Sequence, residues 1–335
     1  MKIRLLSLIL CLYSISSFSS NFYQIPVIII DTTEAERNSI VQDSVETDVV
    51  NYWDEKNAVG LDFSEVAFIN WSSGGNNSVS ALIHGDFERN YKKELTNWRN
   101  SAIIRYGINA QEGREIRKTE DELVISSSFG SRRDSTSNWY YSAKMDFNTQ
   151  FTNGYRYPDT ENPISKFMAP GYLFLGVGAE FSHPNEDLTA YFSPITQKST
   201  FVLDQRLANE GMFGVTPAVR DEDGNLIEKG EKVRTEFGML LTSKFSKEIF
   251  ENVNLRNRLS LYSDYLNKFG NIDVDWQVNV NLKVNDFIKA NVGSQIRYDD
   301  DVKYKEDIDG DGELETTGPR IQFKQTLGIG VVYEF

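Results

Sequence analysis

Cysteine and histidine are scarce in this sequence, and their scarcity excludes several kinds of chemistry. Cys11 is the one cysteine, and His84 and His183 are the two histidines. Because Cys11 lies in a segment that we expect to be removed, the mature chain is predicted to have no disulfide, thiolate metal site or cysteine nucleophile. Residues four apart on a strand are roughly 13 Å apart, which places Ser80 beyond hydrogen-bond reach of His84. We therefore expect a protein that is not an enzyme.

Long apolar runs are also missing, and the acidic charge limits the partners. After residue 20 there is no apolar run of the roughly 18 residues that a membrane helix needs. Residues 1–20 have Lys2 and Arg4, then a short apolar run and small residues, which predicts a secretory signal peptide. A net charge of -14 argues against nucleic acid as a partner.

What the sequence does contain is alternation with a period of two, most clearly in its last sixteen residues. Ile321, Phe323, Leu327 and Phe335 lie on one apolar face of this segment, and mostly polar residues lie on the other. Such a strand has two unlike environments, and its terminal aromatic is typical of the closing strand of a bacterial outer-membrane barrel. The alternative is a soluble β-sandwich or solenoid, but the outward faces are too uniformly apolar for it.

Similar segments recur along the chain and predict about twelve strands. The fold class expected is all-β, an antiparallel transmembrane β-barrel with both termini periplasmic. Residues 188–207 change phase near Pro194, and we interpret them as one strand with a β-bulge, because single-chain barrels have even strand numbers. Short turns then fall on the periplasmic side and long loops outside. The expected location is the Gram-negative outer membrane, with its lipid and the barrel insertion machinery as partners.

Residues 21–60 alternate poorly and are interpreted as a periplasmic lead-in, or equally as a disordered linker. The predicted domains are therefore a signal peptide (1–20), the lead-in (21–60) and the barrel (61–335).

The polar faces of the strands define a predicted lumen that mixes both signs of charge. One interpretation is a narrow porin-like channel for small polar solutes; the other is a filled bore in a structural or accessory subunit that packs against other outer-membrane proteins. The residues predicted to face the lumen are Arg256, Arg258, Asp264, Asp273, Asp275, Lys283, Lys289, Arg297 and Lys324.

An acidic loop near the C-terminus contains half of a calcium-binding pattern. Asp307, Asp309 and Asp311 alternate and are followed by a glycine, with Glu313 as a further candidate ligand. The bidentate glutamate expected at position twelve is replaced by Gly318. Ca²⁺ in an extracellular loop and a solvated acidic turn both fit, and no other cofactor is expected.

Several local motifs point to a known family. They are Trp53–Tyr106 as a whole, Phe68-Ile69-Asn70-Trp71 followed by Gly74-Gly75, Asn97-Trp98-Arg99-Asn100, and the ending Gln325–Val331. With them the chain resembles an uncharacterised outer-membrane barrel family of the Bacteroidota, named only as a domain of unknown function. The resemblance implies a location and a fold, and it carries no catalytic residues.

Overall fold

Twelve antiparallel strands close into a barrel in the computed structural model of this chain, which describes residues 51–66, 76–267, 269–306 and 315–335. The barrel strands are β1 (Trp53–Val66), β2 (Ser78–Lys93), β3 (Thr96–Gln111), β4 (Arg117–Ser131), β5 (Trp139–Thr149), β6 (Gly171–Ser182), β7 (Asp187–Phe201), β10 (Val233–Phe250), β11 (Val253–Asp264), β12 (Asp273–Lys283), β13 (Ile288–Tyr298) and β16 (Gln322–Glu334). Their order around the barrel is β1-β16-β13-β12-β11-β10-β7-β6-β5-β4-β3-β2. The small elements are α1 (Gln205–Asn209), the 3-10 helix η1 (Met212–Gly214), and the hairpins β8 (Val219–Arg220) with β9 (Leu226–Glu228) and β14 (Lys303–Glu306) with β15 (Glu315–Pro319).

Closure is made by the first and last strands. Ala58 pairs with Glu334 and Asp62 with Gly330 in an antiparallel register. The backbone N–H of Phe335 donates to the Asn57 carbonyl at 3.0 Å, and the Asn57 amide donates to the Phe335 carbonyl at 2.8 Å. An open sheet would leave a row of backbone groups without partners in hydrocarbon, and closure satisfies them. The predicted twelve-stranded antiparallel barrel is confirmed.

The two ends of the barrel differ in the length of their connections. At the end where the described chain begins and finishes, the turns are residues 94–95, 132–138, 183–186, 251–252 and 284–287. We call this the short-turn end. The other, the long-loop end, has connections that include residues 150–170, 202–232 and 299–321. This is the asymmetry that the sequence predicts.

Strand β7 has the predicted bulge. Its pairing with β10 shifts between Thr196 and Ser193, and its pairing with β6 shifts at the same place. The bulge absorbs Pro194, which has no N–H for a ladder hydrogen bond. One bent strand, rather than two, keeps the count even.

The predicted start of the barrel at residue 61 is wrong, because β1 begins at Trp53. Asp54, Lys56 and the residues near them are polar on both faces of the strand, so they show no alternation. They lie at the short-turn end, beyond the apolar belt, where both faces can meet water. Residues 1–50, which hold the predicted signal peptide and most of the lead-in, lie outside the described residues.

Residues 150–170 and 202–232 fold together over the long-loop end, and we call them the cap. Ala169, Val202, Leu207, Ala208 and Val215 form its buried apolar cluster. Helix α1 within it is only five residues long. No helix among the described residues has the length and apolarity to cross a membrane.

Candidate functional site: the barrel lumen

The lumen wall is polar because the inward positions of the strands carry charged and amide side chains. Some of these charges pair along the wall, either between neighbouring strands or within one strand. The Arg297 guanidinium on β13 donates to the Asp275 carboxylate on β12 at 2.9 Å, and Lys144 and Asp146 on β5 are 3.0 Å apart. The outward residues are the opposite, since large apolar side chains are exposed on eleven of the twelve barrel strands, and those of β11 are half-buried.

Other ion pairs cross the bore instead of following the wall. Arg297 lies 3.7 Å from Glu122, although four strands separate β13 from β4 on the shorter way round. Lys324 donates to Glu120 at 3.1 Å across three intervening strands. Side chains therefore span the lumen in its long-loop half.

Lys198 is the centre of an acidic layer at the long-loop end. Its Nζ lies 2.8 Å from Asp273, 3.5 Å from Asp299 and 3.8 Å from Glu236, and its side chain is only 4% exposed. The Glu236 side chain is similarly buried, and its carboxylate also forms an ion pair with the Arg234 guanidinium at 3.1 Å. Burying these charges is tolerable only because each has a partner of opposite sign.

We call this layer the acidic mouth, and it borders a cavity of about 350 Å³. The cap reaches it, because Arg234 donates to the backbone carbonyl of Gly214 at 3.1 Å. The residues lining the cavity include Arg234, Glu236, Asp264, Asp273, Asp300 and Asp301.

An aromatic layer lies below the acidic mouth. Phe174, Tyr191, Leu240 and Tyr262 pack together inside the barrel, with the rings of Phe174 and Tyr262 5.8 Å apart. A lysine ammonium lies beside a ring on each side of the layer: Lys198 is 5.2 Å from the centre of Tyr262, and Lys144 is 5.4 Å from the centre of Tyr191. The layer narrows the bore between the acidic mouth and the cationic side chains of the short-turn half.

The short-turn half of the lumen carries a group of cations that we call the basic chamber: Arg99, Lys144, Lys244, Arg256 and Arg258. Lys144 reaches across two strands to donate to the Thr242 hydroxyl at 3.1 Å. Arg99 pairs with Glu180. Lys244 and Arg256 are exposed even though they occupy inward positions of β10 and β11. Exposed side chains inside a barrel mean that the lumen has room for water at this level.

The structure distributes the nine predicted lumen residues among these layers. Arg256 and Arg258 lie in the basic chamber, Asp264 and Asp273 in the acidic mouth, and Asp275, Arg297 and Lys324 in the ion pairs described above. Lys289 pairs with Glu334 near the short-turn rim. Lys283 lies at the end of β12 and pairs with Asp286 of the following turn at 2.7 Å, so it belongs to the rim rather than to the bore.

Sequence reasoning missed Lys198, the most connected charge of the lumen. It lies just after the bulge of β7, where the alternation changes phase and the inward side cannot be read. Counting back from the end of β7 would have placed it correctly.

His84 lies between two lumen carboxylates, 3.8 Å from Asp62 and 3.7 Å from Asp86. The Ser80 hydroxyl instead accepts a hydrogen bond from the Asn109 amide at 2.8 Å. Within the described ranges, no group of three or more histidine, cysteine or acidic residues is arranged to hold a metal ion. The candidate calcium ligands Asp307, Asp309, Asp311 and Glu313 lie outside the described residues.

Residues 63–155 match the model of a family described as "Protein of unknown function (DUF3078)". This match agrees with the predicted resemblance to a family of unknown function, and the link to the Bacteroidota stays a prediction. No curated protein matches the sequence.

Among solved structures, the chain is similar to barrels of outer-membrane proteins. The COG4313 outer membrane channel from Pseudomonas putida F1 is 11% identical with a TM-score of 0.38, over 88% of this chain and 99% of that one. The translocator domain of autotransporter NalP from Neisseria meningitidis is 11% identical with a TM-score of 0.34, over 86% and 90%. The NanC porin is 8% identical with a TM-score of 0.34, over 83% and 98%. At identities this low, the likeness concerns the fold alone.

Proposed function

We propose that this chain is an outer-membrane β-barrel that acts as a narrow porin-like channel for small polar solutes. The outer face supports the membrane location. Leu327, Ile329 and Val331 on β16 are 79%, 62% and 56% exposed, and similar side chains surround the barrel. In water such a belt would be a large apolar patch, whereas in lipid its exposure is favourable.

The observation that carries the channel function is the exposure of Lys244 and Arg256 inside the barrel. A bore filled for structural reasons would bury or pair its charged side chains. Here the short-turn half has a polar, water-accessible wall, which is what a path for polar solutes requires.

The long-loop half sets the width of this channel. The Arg297–Glu122 and Lys198–Asp273 contacts cross the lumen, and the cap lies over them. These contacts are made by side chains, which can change rotamer without breaking the sheet. We therefore expect a small conductance that depends on these ion pairs.

Planar-bilayer recording of the purified protein tests the function. The wild-type chain should give small, discrete conductance steps. The variant Glu122→Gln with Arg297→Gln should give larger ones, because it removes an ion pair that crosses the bore between strands that four others separate around the barrel. The Lys247→Gln variant is a control, since Lys247 pairs with Glu186 on the exposed short-turn rim at 3.3 Å. Silence in both the wild type and the double variant would contradict a channel.

A second candidate function is a non-catalytic accessory barrel within a larger outer-membrane assembly. The hairpin formed by β8 and β9 favours it, because Val219, Leu226 and Ile227 are 48%, 43% and 67% exposed on the cap. Exposed apolar side chains outside the membrane belt suit a protein partner. A barrel without conductance that co-purifies with another envelope protein, and loses it on Ile227→Ser substitution, would favour this function.

We also propose that lipid and the barrel insertion machinery are partners of the chain. Phe335 is 63% exposed at the short-turn end, where a periplasmic receptor could reach it. Deleting Phe335 should lower the amount of barrel assembled in the membrane while leaving synthesis unchanged.

A further inference from the structure

The basic chamber contains two cations that face each other on neighbouring strands. Lys244 on β10 is the direct register partner of Arg258 on β11. The partner of Lys244 on its other side is Thr189, and that of Arg258 is Gln277. Like charges directly opposite one another destabilise a sheet, and neither of these two has a carboxylate as its register partner on the other side.

Two register pairs deeper in the lumen join opposite charges: Glu236 is the partner of Lys198, and Asp275 is the partner of Arg297. Lys283 and Lys289 are also register partners of like charge, but they lie at the short-turn rim, and each has a carboxylate within an ion pair. The Lys244–Arg258 pair differs from them because it lies inside the lumen and has no carboxylate as a register partner.

Asp146, a carboxylate across the bore, does not fully compensate the pair. Among the charged groups that act most strongly on Lys244, three are cations (Arg258, Lys144 and Arg99) and one, Asp146, is an acid. Asp146 is the one acid among them, and it is already held by Lys144 at 3.0 Å and by the Ser126 hydroxyl at 2.6 Å.

Arg256 extends the unbalanced charge toward the short-turn end. Its register partners are the neutral Ser246 and Asn279. The carboxylates that interact with it at longer range are Asp86 and Glu334. Glu334 is paired with Lys289, and Asp86 interacts with Arg105 at 3.9 Å and with His84.

We propose, on the basis of the channel function proposed above, that the basic chamber is an anion-binding station that makes small anionic solutes the preferred cargo. Two guanidinium forks and an ammonium facing water match the oxygens of a carboxylate, phosphate or sulfate group. A ring of Arg and Lys in a pore selects anions. The acidic mouth repels anions less than its composition suggests, because Lys198 and Arg234 hold several of its carboxylates in ion pairs.

The reversal potential in a potassium chloride gradient tests this inference. The wild-type channel should prefer chloride, and citrate added at the short-turn side should reduce its current. Lys244→Gln with Arg258→Gln should lower the ratio of chloride to potassium permeability severalfold and abolish the effect of citrate. Lys244→Arg should retain both properties, and so should the rim control Lys247→Gln.

Two failures are distinguishable in this experiment. If neither the wild type nor Glu122→Gln with Arg297→Gln conducts, the channel function itself is contradicted. If the protein conducts but prefers potassium, or if its selectivity is unchanged in the Lys244 and Arg258 double variant, the anion station is contradicted and the channel stands. Resistance of each variant to unfolding in detergent gels verifies that the barrel has folded.

Discussion

Replacing Lys198 by methionine should destabilise the barrel more than any other single lysine substitution discussed above. The change keeps an unbranched side chain that is one atom shorter, and it removes the charge that lies 2.8 to 3.8 Å from Asp273, Asp299 and Glu236. Glu236 is 3% exposed, so it would remain as a buried carboxylate with Arg234 as its close cation. Removing the cation from such a buried cluster costs about 3–5 kcal/mol, because the carboxylates that it balanced then stay out of water with less compensation.

Urea unfolding of the barrel in lipid vesicles, followed by tryptophan fluorescence, measures this cost. The matched control is Lys247→Met. In the wild type, Lys247 and Glu186 form an ion pair in which both side chains are exposed, and this pair should contribute about 0–1 kcal/mol. Adding Glu236→Gln to Lys198→Met should recover part of the loss, since it removes one of the three carboxylates near Lys198 and leaves less negative charge in the layer. A change in the unfolding free energy of Lys198→Met no larger than that of Lys247→Met would refute the role given to Lys198.

Three further predictions concern the cap and the outer face. Leu207→Ala should cost about 2–5 kcal/mol within the buried cap cluster and make residues 202–232 more sensitive to protease. Burial raises the pKa of Asp204, but hydrogen bonds from Lys166 and from the Leu207 N–H outweigh burial and hold this pKa below its ordinary value. Because the pKa of Asp204 is lower in the folded protein than in the unfolded chain, its ionised carboxylate stabilises the cap at pH values above the unfolded-state pKa. Hydrogen-exchange protection of the cap should therefore fall as the pH drops through the pKa of Asp204 in the folded protein. Asp204→Asn should remove that dependence. Leu327→Arg, near the middle of β16, should cost about 2–4 kcal/mol in lipid, while Tyr333→Arg near the rim should cost about 0–1 kcal/mol; equal costs at the two depths would argue against the membrane position.

The wall of the barrel could be predicted from the sequence because each strand records its two environments locally. Alternation in the last sixteen residues placed β16 almost to the residue, and the phase change near Pro194 revealed the bulge. Where both faces are polar, as at residues 54–57, the same signal disappears, and the start of β1 was missed.

The interior could be predicted only in part, because its contacts join residues that are far apart in sequence. Lys198 and Asp273 are 75 positions apart and lie on strands that are not neighbours. Alternation shows that each side chain points inward, but the closure of the barrel decides which ones meet. The cap was also missed, since a five-residue helix is too short to show an apolar period.

The central claim is that the outer face of the barrel meets lipid while the inner face meets water and packed charge. Because Cys11 is the one cysteine, single cysteines can be introduced at Thr326, Leu327, Gly328, Ile329 and Val331 after Cys11 is replaced. Each is labelled with an environment-sensitive fluorophore and quenched by brominated lipid in reconstituted vesicles. We predict strong quenching at positions 327, 329 and 331 and weak quenching at 326 and 328; equal quenching at all five, or none, would contradict the claim.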